Sequence, residues 1–371
     1  MDRARRRAQG AGVNALLAGQ ASLPRALRRR HAVVLLGTGM VGGAFLRLLD
    51  TPAGAALALV GAANSRHQQT DPAGLAERNL RERLAVAGAA RDDAALLAAL
   101  DADAAVHKVI IDASASAVLA ARHPAWLARG YHVVTANKAL AGGDLQGWHA
   151  LQAACAGHAR YGDAATVGAG LPVLSTLRRL HACGDALLSL EGVLSGSLSW
   201  LFNRYDGTQP FSALLREARA RGYTEPDVRA DLSGEDVARK LLILARSAGF
   251  ALTRAAVQVE NLVPEALRAL DTGQFAANLE ALDAPLAARH AAATARGAVL
   301  RHLARIDRHG HAQVGLVEVA ATHPAAHLRG TDNLFALKTM RYRAQPLVIQ
   351  GPGAGPEITA QALLGDVLAL V

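Results

Sequence analysis

The chain has 371 residues, of which 51% are hydrophobic and 19% are charged. This composition can bury a large core, which excludes a disordered or fibrous protein and predicts two or three domains. The net charge of +9 is mostly local, because residues 1–30 hold eight arginines and one aspartate, leaving 32 basic and 30 acidic residues, or +2, for residues 31–371. A nucleic-acid-binding body needs a basic face, so no nucleic-acid partner is expected for the folded part.

The two cysteines, Cys155 and Cys183, form neither a disulfide framework nor a Cys-x-x-Cys pair. No stretch reaches the roughly 18 uninterrupted apolar residues of a membrane helix, and no export signal is recognisable. We therefore expect a cytoplasmic protein with no membrane partner. The Arg-rich residues 1–30 predict a disordered tail, whose alternatives are a transit peptide, a membrane-surface segment or an RNA-binding arm. Removal of residues 1–28 is expected to leave turnover intact.

From His31 onward, short apolar runs alternate with helical segments. The runs over 32–36, 57–62, 109–111 and 133–135 predict buried strands, and the alanine-rich stretches between them predict helices. Such alternation is typical of an α/β fold with a Rossmann-type, doubly wound parallel sheet. We assign residues 31–150 to this dinucleotide-binding domain.

The pattern changes after about residue 150. Helices are predicted over 171–180 and 211–221 and strands over 314–319 and 346–350, which indicates an α+β domain covering residues 151–345. Residues 346–371 complete the chain with a glycine-rich loop at 351–355 and a terminal helix from about 357 to 370. We expect this helix to return to the nucleotide domain.

A Gly-x-Gly-x-x-Gly motif follows the first predicted strand and opens a helix. In that position Gly37 permits a tight turn, Gly39 lets the backbone approach a pyrophosphate, and Gly42 allows close helix packing. The second strand is followed by Arg66 without the acid that usually binds a ribose 2′-hydroxyl. An arginine suits a 2′-phosphate, which predicts NADP over NAD; the alternative is a solvated loop arginine. The cofactor-binding residues predicted here are Gly37, Thr38, Gly39, Met40, Val41, Gly42 and Arg66.

Lysine is rare, with four residues among 40 basic ones: Lys108, Lys138, Lys240 and Lys338. Lys138 ends a strand segment at the carboxyl edge of the predicted sheet, where doubly wound folds bind ligands. Lys240 follows Asp236 by four residues on a helix that we expect Ser233 to cap, and helical spacing turns both side chains inward. The alternative is an exposed i,i+4 ion pair.

A cluster of carboxylates lies just upstream, between Gly222 and Asp231, in a chain that is otherwise basic. It could hold a substrate ammonium group, and the alternative is a solvated acidic loop. Two histidine pairs, His309 with His311 and His323 with His327, lack an accompanying carboxylate or cysteine, so surface or core histidines are preferred to a metal site. The segment from 195 to 199 is not a nucleophile elbow, which disfavours a serine hydrolase.

In order along residues 31–371, these motifs resemble the homoserine dehydrogenase family, and most closely the dehydrogenase half of bifunctional aspartokinase–homoserine dehydrogenases. Besides 37–42, the matching segments are 62–65, 133–138, 166–172, 194–199, 222–227, 231–234 with Asp236 and Lys240, and 353–355 with Thr359 and Ala360. The resemblance implies a homodimeric enzyme that interconverts L-aspartate 4-semialdehyde and L-homoserine with NAD(P)H, in threonine and methionine biosynthesis.

The resemblance also implies roles for single residues. Lys138 and Lys240 correspond to catalytic lysines, which suits a reaction where an alkoxide charge develops and an ammonium group can stabilise and protonate it. A monovalent cation site, for sodium, would use the backbone carbonyls of Val167, Ala169 and Leu171, although the family's acidic side chain is replaced by Ala164. The substrate-binding residues implied are Glu225, Asp236, Asp231, Ser197 and Tyr223, and the further cofactor-site residues are Ser114, Lys138, Gly222, Gly353 and Gly355.

Two other functions remain open at this point. One is a reductase for a different amino-acid aldehyde or keto acid, and the other is a non-catalytic binding protein whose arginine tail contacts RNA or a partner. The joint presence of Lys138, Glu225, Asp236 and Lys240 argues against the second. The family's threonine regulation uses an additional domain of about 70 residues or more, so we expect this chain to be insensitive to threonine unless a separate protein confers the inhibition.

Overall fold

The computed structural model of the protein describes residues 30–76 and 79–370. The predicted tail therefore lies, apart from Arg30, outside the described residues.

A seven-stranded sheet forms the first unit of the fold, in the strand order β4-β3-β2-β1-β5-β6-β7. Strands β2, β1, β5, β6 and β7 run parallel, and β3 and β4 add antiparallel strands at one edge. The parallel doubly wound sheet confirms the predicted fold class, because continuous apolar strands can be buried on both faces. The strands are β1 (His31–Leu36), β2 (Leu57–Ala63), β3 (His67–Thr70), β4 (Ala89–Ala90), β5 (His107–Asp112), β6 (His132–Thr135) and β7 (Tyr161–Gly162).

Among the residues that the structure describes, six helices accompany this sheet. They are α1 (Met40–Leu49), α2 (Leu80–Ala87), α3 (Asp93–Ala102), α4 (Ala117–Ala120), α5 (His123–Ala128) and α6 (Leu145–Ala154).

The second unit is built on a six-stranded sheet with the order β13-β12-β8-β10-β11-β9. All neighbouring pairs are antiparallel except β9 with β11. The predicted strands at 314–319 and 346–350 correspond to β11 and β13. The strands are β8 (Leu187–Val193), β9 (Val257–Val259), β10 (Ala298–Asp307), β11 (Ala312–Ala320), β12 (Asp332–Thr339) and β13 (Leu347–Pro352).

Helices cover one face of this second sheet. The predicted helices at 171–180 and 211–221 correspond to α7 and α9. The helices in this unit are α7 (Val173–Ala182), α8 (Gly196–Arg204), α9 (Phe211–Ala220), α10 (Arg229–Leu232), α11 (Glu235–Ser247), α12 (Glu265–Arg268), α13 (Thr272–Ala277) and α14 (Asp283–Ala295).

The last helix, α15 (Pro356–Leu368), packs against α1 of the first unit. Leu363, Leu364 and Val367 join Phe45 and neighbouring residues of α1 in one buried cluster. The glycine loop predicted at 351–355 is shorter than expected, because Gly351 and Pro352 belong to β13 and pair with β12. Within the described part of the chain, every helix is too short or too polar to span a bilayer.

Candidate active site

Lys138 lies in the loop that follows β6, and this loop packs directly on helix α11. A Cβ atom at Gly142 would lie 2.4 Å from Arg239 Cγ and 3.0 Å from the Lys138 carbonyl oxygen, so only glycine permits the approach. The buried Arg246 donates hydrogen bonds to the carbonyl oxygens of Ala141 (2.7 Å) and Gly143 (2.9 Å). These contacts bring Lys138 to the first turns of α11.

Asp236 lies between the two lysines at this junction. Its Oδ2 atom is 2.8 Å from Lys240 Nζ, and its Oδ1 atom is 3.7 Å from Lys138 Nζ. Lys240 Nζ also donates to the carbonyl oxygen of Leu194 at 2.7 Å. The Lys240 side chain is 12% exposed, as the helical spacing predicts, whereas the Asp236 side chain is 50% exposed and reaches solvent. The ammonium groups of Lys138 and Lys240 thus share the Asp236 carboxylate, which a ligand can reach.

The start of α11 differs from the prediction. Its N-cap residue is Gly234, with a φ of 73°, and no side chain caps the helix. Ser233 instead closes the preceding helix α10, where its hydroxyl donates to the Ala230 carbonyl oxygen. The Ser233 hydroxyl also accepts a hydrogen bond from the Glu235 N–H at 3.3 Å, but it does so from the position before the N-cap.

The charges of this cluster shift two pKa values. Burial lowers the pKa of Lys138, and the positive charge of Lys240 lowers it further against the attraction of Asp236. Burial would raise the pKa of Asp236, but the charges of Lys240 and Lys138 outweigh it and lower the pKa to about 2. Asp236 is therefore ionised at neutral pH and can hold two cations side by side.

Asp231 anchors the loop that carries the other predicted substrate residues. Its Oδ1 atom accepts a hydrogen bond from Ser197 Oγ at 2.6 Å, and its Oδ2 atom accepts one from the Glu225 backbone N–H at 2.9 Å. Burial raises the pKa of Asp231 against these two hydrogen bonds. The Glu225 side chain is exposed, so Asp231 fixes the backbone while the Glu225 carboxylate stays available.

Gly222 and Tyr223 begin the same loop. Gly222 has a φ of 72°, which ends α9 in a conformation that favours glycine. Tyr223 packs against Trp200 with ring centroids 5.4 Å apart and keeps 41% of its surface exposed. Asp227, in contrast, is paired with Arg229 at 2.6 Å, so its carboxylate already has a cationic partner.

The glycine turn after β1 has the shape that a pyrophosphate requires. Gly37 has a φ of 97°, and a Cβ at Gly42 would lie 1.9 Å from the Gly37 carbonyl oxygen, so both positions require glycine. A Cβ at Gly39 would meet no atom within 4 Å. The backbone at Gly39 is thus open above the N-terminus of α1, where N–H groups and the helix dipole favour an anion. These residues fit a dinucleotide cofactor.

The remaining predicted cofactor residues lie at the ends of strands. Ser114 follows β5 and bonds through N (2.9 Å) and Oγ (2.6 Å) to Asp112 Oδ1. Gly353 packs on Asn333, whose side chain would lie 2.0 Å from an added Cβ, and Gly355 has a φ of 132°. Arg66 is exposed in the turn between β2 and β3, where its N–H donates to Asn64 Oδ1.

The contacts around the expected cation site do not fit a cation. Asp163, one residue before Ala164, forms a two-pronged ion pair with Arg178, with distances of 2.8 and 2.5 Å. The Ala164 N–H donates to Asp366 of α15, and the Leu171 carbonyl oxygen already accepts from Val173 N–H. The Asp163 carboxylate, which a nearby cation would need, is thus already neutralised by Arg178. We therefore assign no catalytic role to a cation at Val167 and Ala169. Across residues 30–76 and 79–370, no group of three His, Cys, Asp or Glu side chains could hold a metal ion.

A buried polar cluster that the sequence-based predictions do not include lies behind Lys138. His123 Nε2 and Asn137 Nδ2 each hydrogen-bond to Asp112 Oδ2, at 3.0 and 2.9 Å, between β5, α5 and the β6 loop. The available signal was the polar pair Asn137-Lys138 directly after an apolar strand, of which only the lysine was singled out.

Comparison with known proteins identifies the family. Residues 172–368 match the family described as "Homoserine dehydrogenase", and residues 37–161 match "Homoserine dehydrogenase, NAD binding domain". The bifunctional aspartokinase/homoserine dehydrogenase 2 of Escherichia coli is 38% identical over 91% of this chain and 43% of its own length. The homoserine dehydrogenase of Emericella nidulans is 38% identical over 71% of this chain and 75% of its own length. The chain thus spans about two fifths of the bifunctional relatives that it matches.

Solved structures show the same architecture. A Candida auris protein of unknown function superposes with a TM-score of 0.85 at 33% identity, covering 91% of this chain and 97% of that protein. A putative homoserine dehydrogenase from Archaeoglobus fulgidus superposes with a TM-score of 0.72 at 26% identity, covering 91% and 98% of the two chains. With both halves of the chain matched, this protein belongs to the homoserine dehydrogenase family.

Proposed function

We propose that this chain interconverts L-homoserine and L-aspartate 4-semialdehyde with a nicotinamide cofactor, a step of threonine and methionine biosynthesis. The observation that carries the proposal is the Lys138–Asp236–Lys240 cluster at the carboxyl edge of a nucleotide-binding sheet. It places positive charge where an alcohol and an aldehyde exchange a hydride and a proton.

The glycine turn from Gly37 to Gly42 and the N-terminus of α1 would hold the pyrophosphate of a nicotinamide cofactor. Such a cofactor would supply hydride acceptance and donation at the substrate carbon. Ser114 follows β5, and the loop from Gly353 to Gly355 leads into α15, which packs on α1.

Lys240 hydrogen-bonds to the reacting oxygen. An ammonium group has three N–H donors, and two of these are directed to Asp236 Oδ2 and the Leu194 carbonyl oxygen. The third donor is available to the substrate oxygen: in aldehyde reduction it stabilises the developing alkoxide and gives it the proton, and in homoserine oxidation the neutral amine takes that proton from the hydroxyl group. Lys138 adds a second positive charge and holds Asp236 from the other side.

The carboxylates bind the amino-acid end of the substrate. The exposed Glu225 side chain and the half-exposed Asp236 carboxylate suit an ammonium group and a hydroxyl group. Asp231 and Ser197 keep the Glu225 backbone in place, and Tyr223 covers the edge of the loop.

We further propose that NADP is preferred to NAD. Arg66 is exposed at the end of β2, where a 2′-phosphate would lie, and a guanidinium group binds phosphate well. A hyperthermophilic archaeal homoserine dehydrogenase with a TM-score of 0.68 was solved in complex with NADPH. At 16% identity that likeness supports the fold alone, so Arg66 carries the preference.

We also propose a homodimer that works in the cytoplasm. Around the turn between β12 and β13, at the edge of the second sheet, the large apolar side chains of Met340, Tyr342 and Val348 are exposed. A second copy packed against this edge would bury them. Light scattering at the concentration of the activity assay should give about twice the 38.5 kDa chain mass, and a single-chain mass would refute the dimer.

The test of the function is homoserine-dependent reduction of NADP and NAD by the purified chain, followed by absorbance of the reduced cofactor. We expect turnover with L-homoserine and a higher kcat/KM with NADP, and L-serine and L-threonine serve as substrate controls. Lys240→Ala, purified in parallel, controls for contaminating dehydrogenases. Equal turnover by this variant, or no turnover with homoserine, would contradict the proposal.

A further inference from the structure

A fully buried carboxylate, that of Asp112, is hydrogen-bonded to Asn137, the residue before Lys138. Asp112 ends β5 and has no exposed surface. Its Oδ1 atom accepts from Ser114 N (2.9 Å) and Ser114 Oγ (2.6 Å), and its Oδ2 atom accepts from Asn137 Nδ2 (2.9 Å) and His123 Nε2 (3.0 Å). A carboxylate accepts about four hydrogen bonds, so its capacity is filled, which is what makes an ionised buried carboxylate tolerable.

Asn137 transmits this anchorage to Lys138. Its Nδ2 atom donates to Asp112 Oδ2 and to the Ser116 carbonyl oxygen, both at 2.9 Å. Its Oδ1 atom accepts from the Ala139 N–H at 3.0 Å. The amide therefore fixes the backbone on both sides of Lys138, and it has no remaining donor.

The other side of Asp112 is closed by an aromatic pair. His123, which is fully buried, reaches Asp112 through Nε2 and the Tyr161 hydroxyl through Nδ1 at 3.2 Å. Burial raises the pKa of Tyr161 well above its ordinary value, so its O–H keeps its proton and can donate to Nδ1. In that arrangement His123 donates from Nε2 to Asp112.

We propose that Asp112 and Asn137 form a carboxylate brace that positions Lys138 for the reaction and couples it to the cofactor loop at Ser114. The inference rests on the proposed function. Asp112 and Asn137 are positioning residues, because they reach the substrate only through Lys138. Asp112 links the loop after β5, which carries Ser114, to the loop after β6, which carries Lys138. These loops set the distance between cofactor and lysine, and a displacement of about 1 Å at such a site can lower the rate by about 10²-fold.

Two substitutions of Asn137 test the brace. Asn137→Ala removes both contacts, and we expect kcat for homoserine oxidation to fall by about tenfold or more, at every pH, with KM for NADP within about threefold of wild type. In Asn137→Asp the new carboxyl group faces Asp112, beside His123 and Tyr161, so its pKa is raised. Protonated, it donates to Asp112 as the amide does; ionised, it repels Asp112.

The activity of Asn137→Asp relative to wild type should therefore fall as pH rises, by roughly tenfold between pH 6 and pH 9. Ile111→Val removes one methyl group from the same buried strand and is the matched control: it lowers the melting temperature without changing kcat or the pH profile. A purely structural role would give Asn137→Asp a flat activity ratio, and that result, or near-wild-type kcat for folded Asn137→Ala, would overturn the brace.

A second measurement does not depend on turnover. Competitive acetylation across pH, read by mass spectrometry, gives the pKa of Lys138 with the exposed Lys338 as internal reference. Burial lowers the pKa of Lys138 in the wild type. We expect the pKa of Lys138 to rise in Asn137→Ala and to stay in place in Ile111→Val. If wild-type protein fails to oxidise homoserine, the proposed function fails, and this pKa alone decides the brace: no movement overturns it.

Discussion

Replacing Asp366 by asparagine should stabilise the protein at neutral pH. Asp366 lies on α15 and accepts a hydrogen bond from the Ala164 N–H at 2.9 Å. Burial raises the pKa of this carboxyl group from 3.8 to about 6, and the negative charge of Asp163 adds to the shift, against the Ala164 hydrogen bond and the charge of Arg178. Asparagine keeps an oxygen for Ala164 and removes the buried charge.

The size and the pH window follow from the shift. The folded state prefers the protonated carboxyl, so ionisation costs stability progressively between about pH 4 and pH 6 and at full size above pH 6. A shift of about two units corresponds to about 3 kcal/mol at most, which partial exposure of Asp366 reduces to about 1–3 kcal/mol. The gain of Asp366→Asn should therefore be present above pH 6 and absent below about pH 4.

Urea denaturation of wild type and Asp366→Asn at several pH values between 4 and 8 measures this difference. Glu357→Gln is the control, because Glu357 is exposed on the same helix in an ion pair with Arg47; such pairs contribute about 0–1 kcal/mol. A gain that is independent of pH would show that it does not come from the ionisation of Asp366, and a loss of stability at pH 7 would show that the carboxylate is stabilised in the folded state.

Three further outcomes are expected. Lys138→Ala and Lys240→Ala should each lower kcat by about 10²-fold or more in folded protein. Lys138→Arg should retain more activity than Lys240→Arg, because the fixed charge of arginine replaces only an electrostatic role. Equal losses in the two arginine variants would refute the assignment of proton transfer to Lys240 and of electrostatic stabilisation to Lys138. Arg66→Ala should raise KM for NADP by about tenfold and leave KM for NAD within about twofold, and a parallel change in both would remove Arg66 from cofactor selection. Exchanging sodium for potassium at constant ionic strength should change kcat by less than about twofold, because Arg178 already holds Asp163; a larger dependence would show a cation site.

The parallel strands and the elements that carry Lys138, Asp236 and Lys240 could be predicted for physical reasons. The strands β1, β2, β5 and β6 contain apolar runs, and burial on both faces leaves that pattern in the sequence. Lys138 follows the last of these strands by three residues, and Asp236 with Lys240 follows helical spacing, so each group could be placed on its own element. The structure adds the distance between them.

What joins the elements could not be predicted. The approach of the β6 loop to α11 depends on Gly142, whose missing Cβ matters only beside Arg239, and on Arg246, whose partners are about 100 residues away. Strands such as β10 mix arginine and histidine with apolar residues, because Arg301 is buried through hydrogen bonds to backbone carbonyls rather than excluded from the core. The hydrophobic pattern of the sequence does not show which polar side chains are buried through hydrogen bonds of this kind.

The packing of α15 on α1 has a consequence for how the chain folds during synthesis. The two helices are joined by an ion pair between residues 310 positions apart, Arg47 and Glu357. The apolar residues of α1 that pack on α15, among them Phe45 and Leu49, therefore lack this contact until the whole second unit has left the ribosome. Contacts of such high sequence separation form late, and exposed apolar surface on a waiting intermediate favours aggregation. Of the two units, the one synthesised first is therefore completed last. Its yield in the cell depends on the folding of the second unit, which lies in sequence between the first sheet and α15.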